Sequence, residues 1–295
     1  MRPVFFALHG QDKLCAALAA RLGGELGQLT VRRFPDGESY VRLDTPVAGH
    51  TVVLVCNMRD PDTKFLQVCF AVTTARELGA TCVGLVVPYL PYMRQDRRFQ
   101  PGEAITSESF ARLVGSHADW LVTVDPHLHR YGSLGELYAI PTTAVRAAPC
   151  IARWIIENVS SPWLIGPDAE SMQRVREVAD ATTAPCTVLE KIRRGDRDVE
   201  VSLPETVQYH THTPVLIDDI ISTGRTMIET MAHLKRAGLA PPVCIGVHAI
   251  FAGRAYEDLL AAGAACVVTC NTVPHPSNAI DLSAQIAAAI TTLQR

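Results

Sequence analysis

The chain has 295 residues, 48% of them hydrophobic, and its 27 basic and 30 acidic side chains leave a net charge of -3. That length suits two domains of about 100–200 residues each, and the mild acidity carries no basic signature for nucleic acid. No apolar run approaches the roughly 18 residues that read as a membrane span, and nine scattered cysteines without CxxC pairs point to reduced thiols in a cytoplasmic protein and away from zinc.

In chain order, apolar β-rich runs recur at Val4–Leu8, Val52–Cys56, Val83–Val87, Leu121–Val124, Trp163–Ile165, Val215–Ile217, Cys244–Val247 and Val267–Thr269. The first of them reads as a strand and not as a signal peptide, because no small-residue cleavage site follows. Helical spacing separates many of the runs. Asp62–Leu78 puts Phe65, Val68, Cys69, Val72 and Ala75 on one face, with Gly79 as its stop. Met172–Ala179, Arg254–Ala262 and the Ala-rich Leu282–Leu293 read the same way. Strands alternating with helices predict an α/β fold in which a mostly parallel sheet is flanked by helices. The alternation runs twice, over 1–141 and 142–281, and leaves the C-terminal helix, 282–295, free to pack on either half.

The most informative segment is Val215–Thr226, VLIDDIISTGRT. An apolar run ends in Asp218 and Asp219, a turn with Ser222, Thr223, Gly224 and Thr226 follows, and Met227, Met231 and Leu234 then repeat as one helix face. Ligands of open α/β sheets gather at the carboxyl ends of strands, where a turn and a helix N-terminus present N–H groups to phosphate. An Asp-Asp pair alone reads equally well as a solvated helix cap. PYLPYMRQDRR (88–98) follows another strand; Arg94, Arg97 and Arg98 around Gln95 and Asp96 suit a polyphosphate or a solvated loop. Phe34-Pro35-Asp36-Gly37 is a tight turn with an Asp-Gly hairpin signal. TVDPHLHR (123–130) places His127 and His129 at alternate positions after a strand, and Asp168 in IGPDAE reads as a helix N-cap. Lys191, Arg193, Arg194 and Arg197 form a basic stretch that looks mobile or solvated.

These strings, in this order, resemble the ribose-phosphate pyrophosphokinase family across nearly the whole chain. VLIDDIISTGRT is similar to the loop that this family shares with type I phosphoribosyltransferases, whereas PYLPYMRQDR resembles a signature that the transferases lack. The resemblance implies two type I phosphoribosyltransferase-like α/β domains: an ATP-side domain, 1–141, and a ribose-5-phosphate domain, 142–281. It implies transfer of pyrophosphate from ATP to the anomeric hydroxyl of ribose 5-phosphate, with magnesium as cofactor. ATP-binding roles fall on Phe34, Asp36, Glu38, Arg94, Gln95, Asp96 and Arg97, with Phe34 stacking on adenine in a neighbouring subunit's site. Asp218, Asp219, Ser222, Thr223, Gly224, Arg225 and Thr226 would hold ribose 5-phosphate, His127 and Asp168 the metal, and Lys191 and Arg193 would close catalytically over the triphosphate. A homo-oligomer follows, a dimer or a hexamer built from dimers, with no nucleic acid or membrane partner. A non-catalytic regulatory homologue or a phosphoribosyltransferase is the alternative. The chain departs from the family pattern in Glu170-Ser171 after the PD motif, and in Arg225 where a small residue is common.

Overall fold

The computed structural model describes residues 2–128, 130–167, 171–194, 198–202 and 207–294, and these divide into two compact units. The first comprises 1–146, 272–274 and 282–295, the second 147–271 and 275–281.

Chain order in the first unit is β1 (Val4–Leu8), α1 (Asp12–Leu22), β2 (Glu25–Leu26), β3 (Leu29–Arg33), β4 (Ser39–Leu43), β5 (Thr51–Cys56), α2 (Phe65–Glu77), β6 (Cys82–Val86), α3 (Thr106–Gly115), β7 (Trp120–Val124) and β8 (Thr142–Val145). Six of these strands form a parallel sheet ordered β2-β1-β5-β6-β7-β8, while β3 and β4 make an antiparallel hairpin of their own. Helices cover the sheet, so its central strands are buried on both faces and their residues are apolar without alternation. Phe5, Phe6, Val52, Val53, Leu54, Leu121 and Val122 are fully buried, each contributing about 1.5–3 kcal/mol against the entropy of ordering the chain.

The second unit runs α4 (Ala148–Asn158), β9 (Pro162–Gly166), α5 (Met172–Thr182), β10 (Cys186–Val188), β11 (Glu190–Arg194), β12 (Asp198–Ser202), β13 (Thr213–Ile221), α6 (Arg225–Arg236), β14 (Val243–Ala249), α7 (Ala255–Ala261), β15 (Cys266–Cys270) and β16 (Asn278–Ile280). Its parallel sheet is ordered β10-β9-β13-β14-β15-β16, and β11–β12 form a separate antiparallel hairpin. Counted along the chain, both sheets therefore read 2-1-3-4-5-6, with a hairpin inserted between the second and third strands. Each has a topological switch point, β1/β5 in one and β9/β13 in the other, where open α/β sheets collect ligands. The last helix, α8 (Ser283–Leu293), belongs to the first unit, where Ser283 Oγ accepts a 3.1 Å hydrogen bond from Arg21 Nε.

Every strand anticipated from an apolar run is present, with ends shifted by a few residues. Two local expectations change. The helix expected from Asp62 starts at Phe65, after a 3-10 turn at Pro61–Thr63, because the main chain at Lys64 (φ -121°) departs from helical geometry. Its expected inner face is buried at Val68, Cys69, Val72 and Ala75, and Gly79 (φ 89°) follows its end. The second change is at Asp218 and Asp219, which lie within β13 and not beyond it, since Ile220 and Ile221 continue in register with His248 and Ala249. Among the described residues no helix is long and apolar enough to cross a membrane.

Candidate functional site

In the second unit the site is built at the carboxyl end of β13. Asp218 stands opposite Gly246 of β14, where a Cβ would meet Ile221 Cγ1 at 2.6 Å. Glycine there leaves room for the Ile221 side chain over the neighbouring strand. Asp219 is 9% exposed; one carboxylate oxygen accepts from Ile220 N at 2.8 Å, and the other lies 3.6 Å from Arg174 Nη2 of α5. Two backbone bonds fasten the loop, Phe251 N to Ile221 O (2.8 Å) and Ala252 N to Ser222 O (2.9 Å).

Gly224 is the N-cap of α6 with φ 68°, and an added Cβ would sit 3.3 Å from Leu259 Cγ. Both features select glycine. Gly224 has no side chain to cap α6, and Thr223 Oγ1 accepts only a long 3.5 Å hydrogen bond from Arg225 N. The first-turn N–H groups of a helix have no intrahelical acceptor, so this terminus is suited to an anion. Thr223 and Arg225 are exposed and Ser222 and Thr226 half-buried, while Met227, Met231 and Leu234 pack inward as expected.

β9 ends at Gly166, next to β13, so the PD motif begins at this switch point; Asp168 and Glu170 themselves lie outside the described residues, as do His129 and Arg197. Lys191 and Arg193 stand on a paired strand, β11, and not in a loop; they face Val201 and Val199 of β12 in register. The alternation of apolar and polar residues in β12, DVEVS, is the local reason for that hairpin.

In the first unit, Phe34–Glu38 is the turn of the β3–β4 hairpin, closed by Phe34 N to Glu38 O (2.8 Å) and Gly37 N to Phe34 O (2.9 Å), with Asp36 Oδ1 accepting from Glu38 N at 3.2 Å. Phe34 is 40% exposed; its ring meets the edge of Tyr40 at 6.0 Å and has the Arg32 guanidinium 4.6 Å from its centroid. A partly exposed ring steadied in this way offers a platform for a planar ligand.

The loop after β6 is anchored by Leu90 and Met93, which are buried, and by Tyr92, whose φ is 64°. Arg94, Arg97 and Arg98 are exposed, and Gln95 is half-buried. Asp96, with a side chain 8% exposed, lies 3.4 Å from Arg130 Nε, and its carbonyl accepts from Tyr131 Oη at 3.4 Å. Burial, with the hydrogen bond to Asp62 adding to it, pushes the Tyr92 phenol up to about 12. The loop after β7 meets this one where Pro88 O accepts from Val124 N at 3.1 Å and from Thr123 Oγ1 at 3.3 Å. His127 is half-buried just beyond Asp125, a buried acid with φ 34°.

The sequence patterns do not single out Arg174, Arg130 or Asp125. Arg174 sits 45 positions from Asp219 in the chain, and no local spacing signals such a pair.

Comparison with known proteins matches residues 4–117 to the N-terminal domain of ribose phosphate pyrophosphokinase and residues 133–286 to the phosphoribosyl transferase domain. A ribose-phosphate pyrophosphokinase of Methanopyrus kandleri is 36% identical over 284 residues, covering 95% of this chain and 96% of the relative. One of Methanobrevibacter smithii is 32% identical, covering 93% and 95%. The chain belongs to the ribose-phosphate pyrophosphokinase family. The fold agrees: the crystal structure of phosphoribosylpyrophosphate synthetase from Mycobacterium smegmatis superposes with a TM-score of 0.85 at 22% identity, over 100% of this chain and 99% of that one. Family membership spans both units, so the first sheet with its hairpin and RQDR loop is as much part of the family's pattern as the second sheet with its Asp-Asp strand and Gly224 loop.

Proposed function

We propose that this member of the ribose-phosphate pyrophosphokinase family transfers the pyrophosphoryl group of ATP to the anomeric hydroxyl of ribose 5-phosphate, releasing AMP and 5-phosphoribosyl 1-pyrophosphate. The observation that carries the reading is full-length membership in that family, which a phosphoribosyltransferase of the second unit alone would not need. In the reaction the anomeric oxygen loses its proton to solvent and forms a bond to the β-phosphorus. The bond from that phosphorus to the oxygen bridging to the α-phosphorus breaks, and the oxygen leaves on AMP. Such a step asks the protein for alignment and charge compensation and needs no covalent intermediate.

The first unit takes the ATP side and the second the ribose-5-phosphate side. The α6 N-terminus, with Ser222, Thr223, Gly224 and Thr226, receives the 5-phosphate, and Arg225 adds an exposed cation at its rim. Asp218 and Asp219 accept hydrogen bonds from the ribose hydroxyls. Phe34 stacks on the adenine, in the site of a neighbouring subunit, with Asp36 and Glu38 beside it; that reach asks for a homo-oligomer, a dimer or a hexamer built from dimers. Arg94, Gln95, Asp96 and Arg97 hold the triphosphate, and Lys191 and Arg193 close on it as charge develops.

The residues at β13 fit magnesium through a carboxylate oxygen, the ligand this hard cation takes beside substrate phosphates; side chains alternate across the strand, so one of Asp218 and Asp219 would face the ion. Asp168 and His127 would complete its positioning. Held there, the ion would supply positive charge against the phosphates of the nucleotide. All nine cysteines are free thiols, which supports a reducing, cytoplasmic setting.

Purified protein given ATP, ribose 5-phosphate and magnesium should form AMP and 5-phosphoribosyl 1-pyrophosphate in equal amounts. An intact oligomer that releases no nucleoside monophosphate from any nucleoside triphosphate would end the reading in favour of a regulatory homologue.

A further inference from the structure

The segment between β5 and α2 lies at the switch point of the first sheet, and it touches both loops assigned to the nucleotide. Its 3-10 turn, Pro61–Thr63, and the first turn of α2 make three polar contacts with them. Thr63 O accepts from Arg33 Nη2 at 3.0 Å, and Gln67 Nε2 donates to Ser39 Oγ at 3.1 Å. Arg33 and Ser39 are the register pair that closes the β3–β4 hairpin, so both of its legs are fastened just outside the Phe34–Glu38 turn. The third contact is Tyr92 Oη donating to an Asp62 carboxylate oxygen.

Tyr92 is well placed to transmit that contact. It holds a left-handed backbone, φ 64°, two residues before Arg94, and its carbonyl accepts from Thr106 Oγ1 of α3 at 3.2 Å. Non-glycine residues rarely adopt that conformation unless their surroundings hold them there. A second, apolar route runs in parallel, since Phe110 packs against Phe65 at 5.0 Å and against Tyr92 at 4.9 Å. Behind the segment, Gln67 is 5% exposed, and its Oε1 accepts from His9 Nε2 at 2.7 Å at the end of β1. With both ends of its amide engaged, Gln67 has little rotamer freedom left.

We propose that Pro61–Gln67 is a bracket that couples the Phe34–Glu38 hairpin to the Tyr92–Arg97 loop, with Asp62 and Gln67 as positioning residues for the nucleotide. The role in nucleotide positioning rests on the function proposed above; the mechanical coupling does not. Two measurements separate them.

The first is hydrogen exchange on the unliganded full-length protein. Of the contacts with the two loops, Asp62→Ala removes only the one to Tyr92 and Gln67→Leu only the one to Ser39, the latter also releasing His9 Nε2. Coupling predicts that each change speeds amide exchange by about three- to tenfold in both the hairpin and the 92–97 loop, as expected for one hydrogen bond lost from a local opening equilibrium. Asp62→Asn keeps a carbonyl acceptor for Tyr92 Oη and should exchange as the unaltered protein does. Acceleration confined to the loop that each residue touches would overturn the bracket.

The second is steady-state kinetics. Asp62→Ala should raise KM for ATP about three- to tenfold with KM for ribose 5-phosphate unchanged, and Asp62→Asn should restore it. Equal rises in both constants, or none, would remove the positioning role while leaving the exchange result to stand. An inactive parent protein would instead indict the proposed reaction.

Discussion

Arg174 of α5 sets its guanidinium 3.6 Å from Asp219 of β13, and the two side chains are only 17% and 12% exposed. Two adjacent carboxylates at a strand end repel each other, and Arg174 offsets that charge before any cation or substrate arrives. Arg174→Met leaves Asp219 without this counter-charge. We expect it to lower stability by about 1–3 kcal/mol, between the values for exposed and fully buried pairs. It should also raise KM for ribose 5-phosphate more than KM for ATP. Urea unfolding and kinetics with each substrate varied in turn check both. Unchanged stability would mean that the pair at 3.6 Å is too loose to matter.

Gly224 gives a second test. Gly224→Ala must hold a side chain at φ 68° with its Cβ 3.3 Å from Leu259 Cγ. The backbone penalty is about 1–2 kcal/mol, and it is relieved by moving the loop away from the α6 N-terminus. Affinity for ribose 5-phosphate should fall about tenfold, since 1.4 kcal/mol corresponds to that factor. Inorganic phosphate competing against ribose 5-phosphate reads the same site without turnover and should weaken in parallel.

How much of this was legible follows from where each signal resides. Strands such as Val52–Cys56 are buried on both faces by helices, so they appear as unbroken apolar runs. Gly224 was legible because turn and helix start are adjacent in the chain. The placement of Asp218 and Asp219 within β13 was not, because the extension to Ile221 is set by pairing with β14, about 28 residues away in the register Ile220–His248. The same holds for Arg174–Asp219 and for Arg130–Asp96, which join separate elements. Lys191 and Arg193 read as loop residues because their charge hides a strand whose partner, β12, carries the alternating pattern.

Phe34 is the test of the nucleotide side. The ring is 40% exposed and held by the Tyr40 edge and the Arg32 guanidinium, so removing it costs little stability, within about 0.5 kcal/mol for a surface site. A base stacked on an aromatic ring is worth about 1–3 kcal/mol. Phe34→Ala should therefore raise KM for ATP about tenfold or more at nearly unchanged stability, and Phe34→Tyr should restore most of it. Mixing Phe34→Ala chains with Lys191→Ala chains tests the reach between subunits: recovered activity in mixed oligomers is expected if the ring serves a neighbour's site.

The last prediction concerns pH and rests on His9. Burial lowers its pKa from 6.5; the hydrogen bond to Gln67 opposes the shift, and the Lys64 charge adds to it. The native imidazole therefore stays neutral at a pH where the unfolded one already takes up a proton. A depressed pKa of this kind stabilises the fold above pH 6.5, and that stability drains away as pH falls from 6.5 toward the lower native value, then levels off. His233 is shifted the same way by burial and by Arg236, so the informative quantity is the difference between proteins and not the slope of one. Unfolding free energy measured from about pH 7.5 to about pH 5.5 should fall less steeply for His9→Gln than for the unaltered chain, because glutamine keeps a donor for Gln67 Oε1 and cannot titrate. Parallel pH profiles for the two proteins would show that His9 takes up its proton equally in both states, and that its burial beside Gln67 has no energetic consequence.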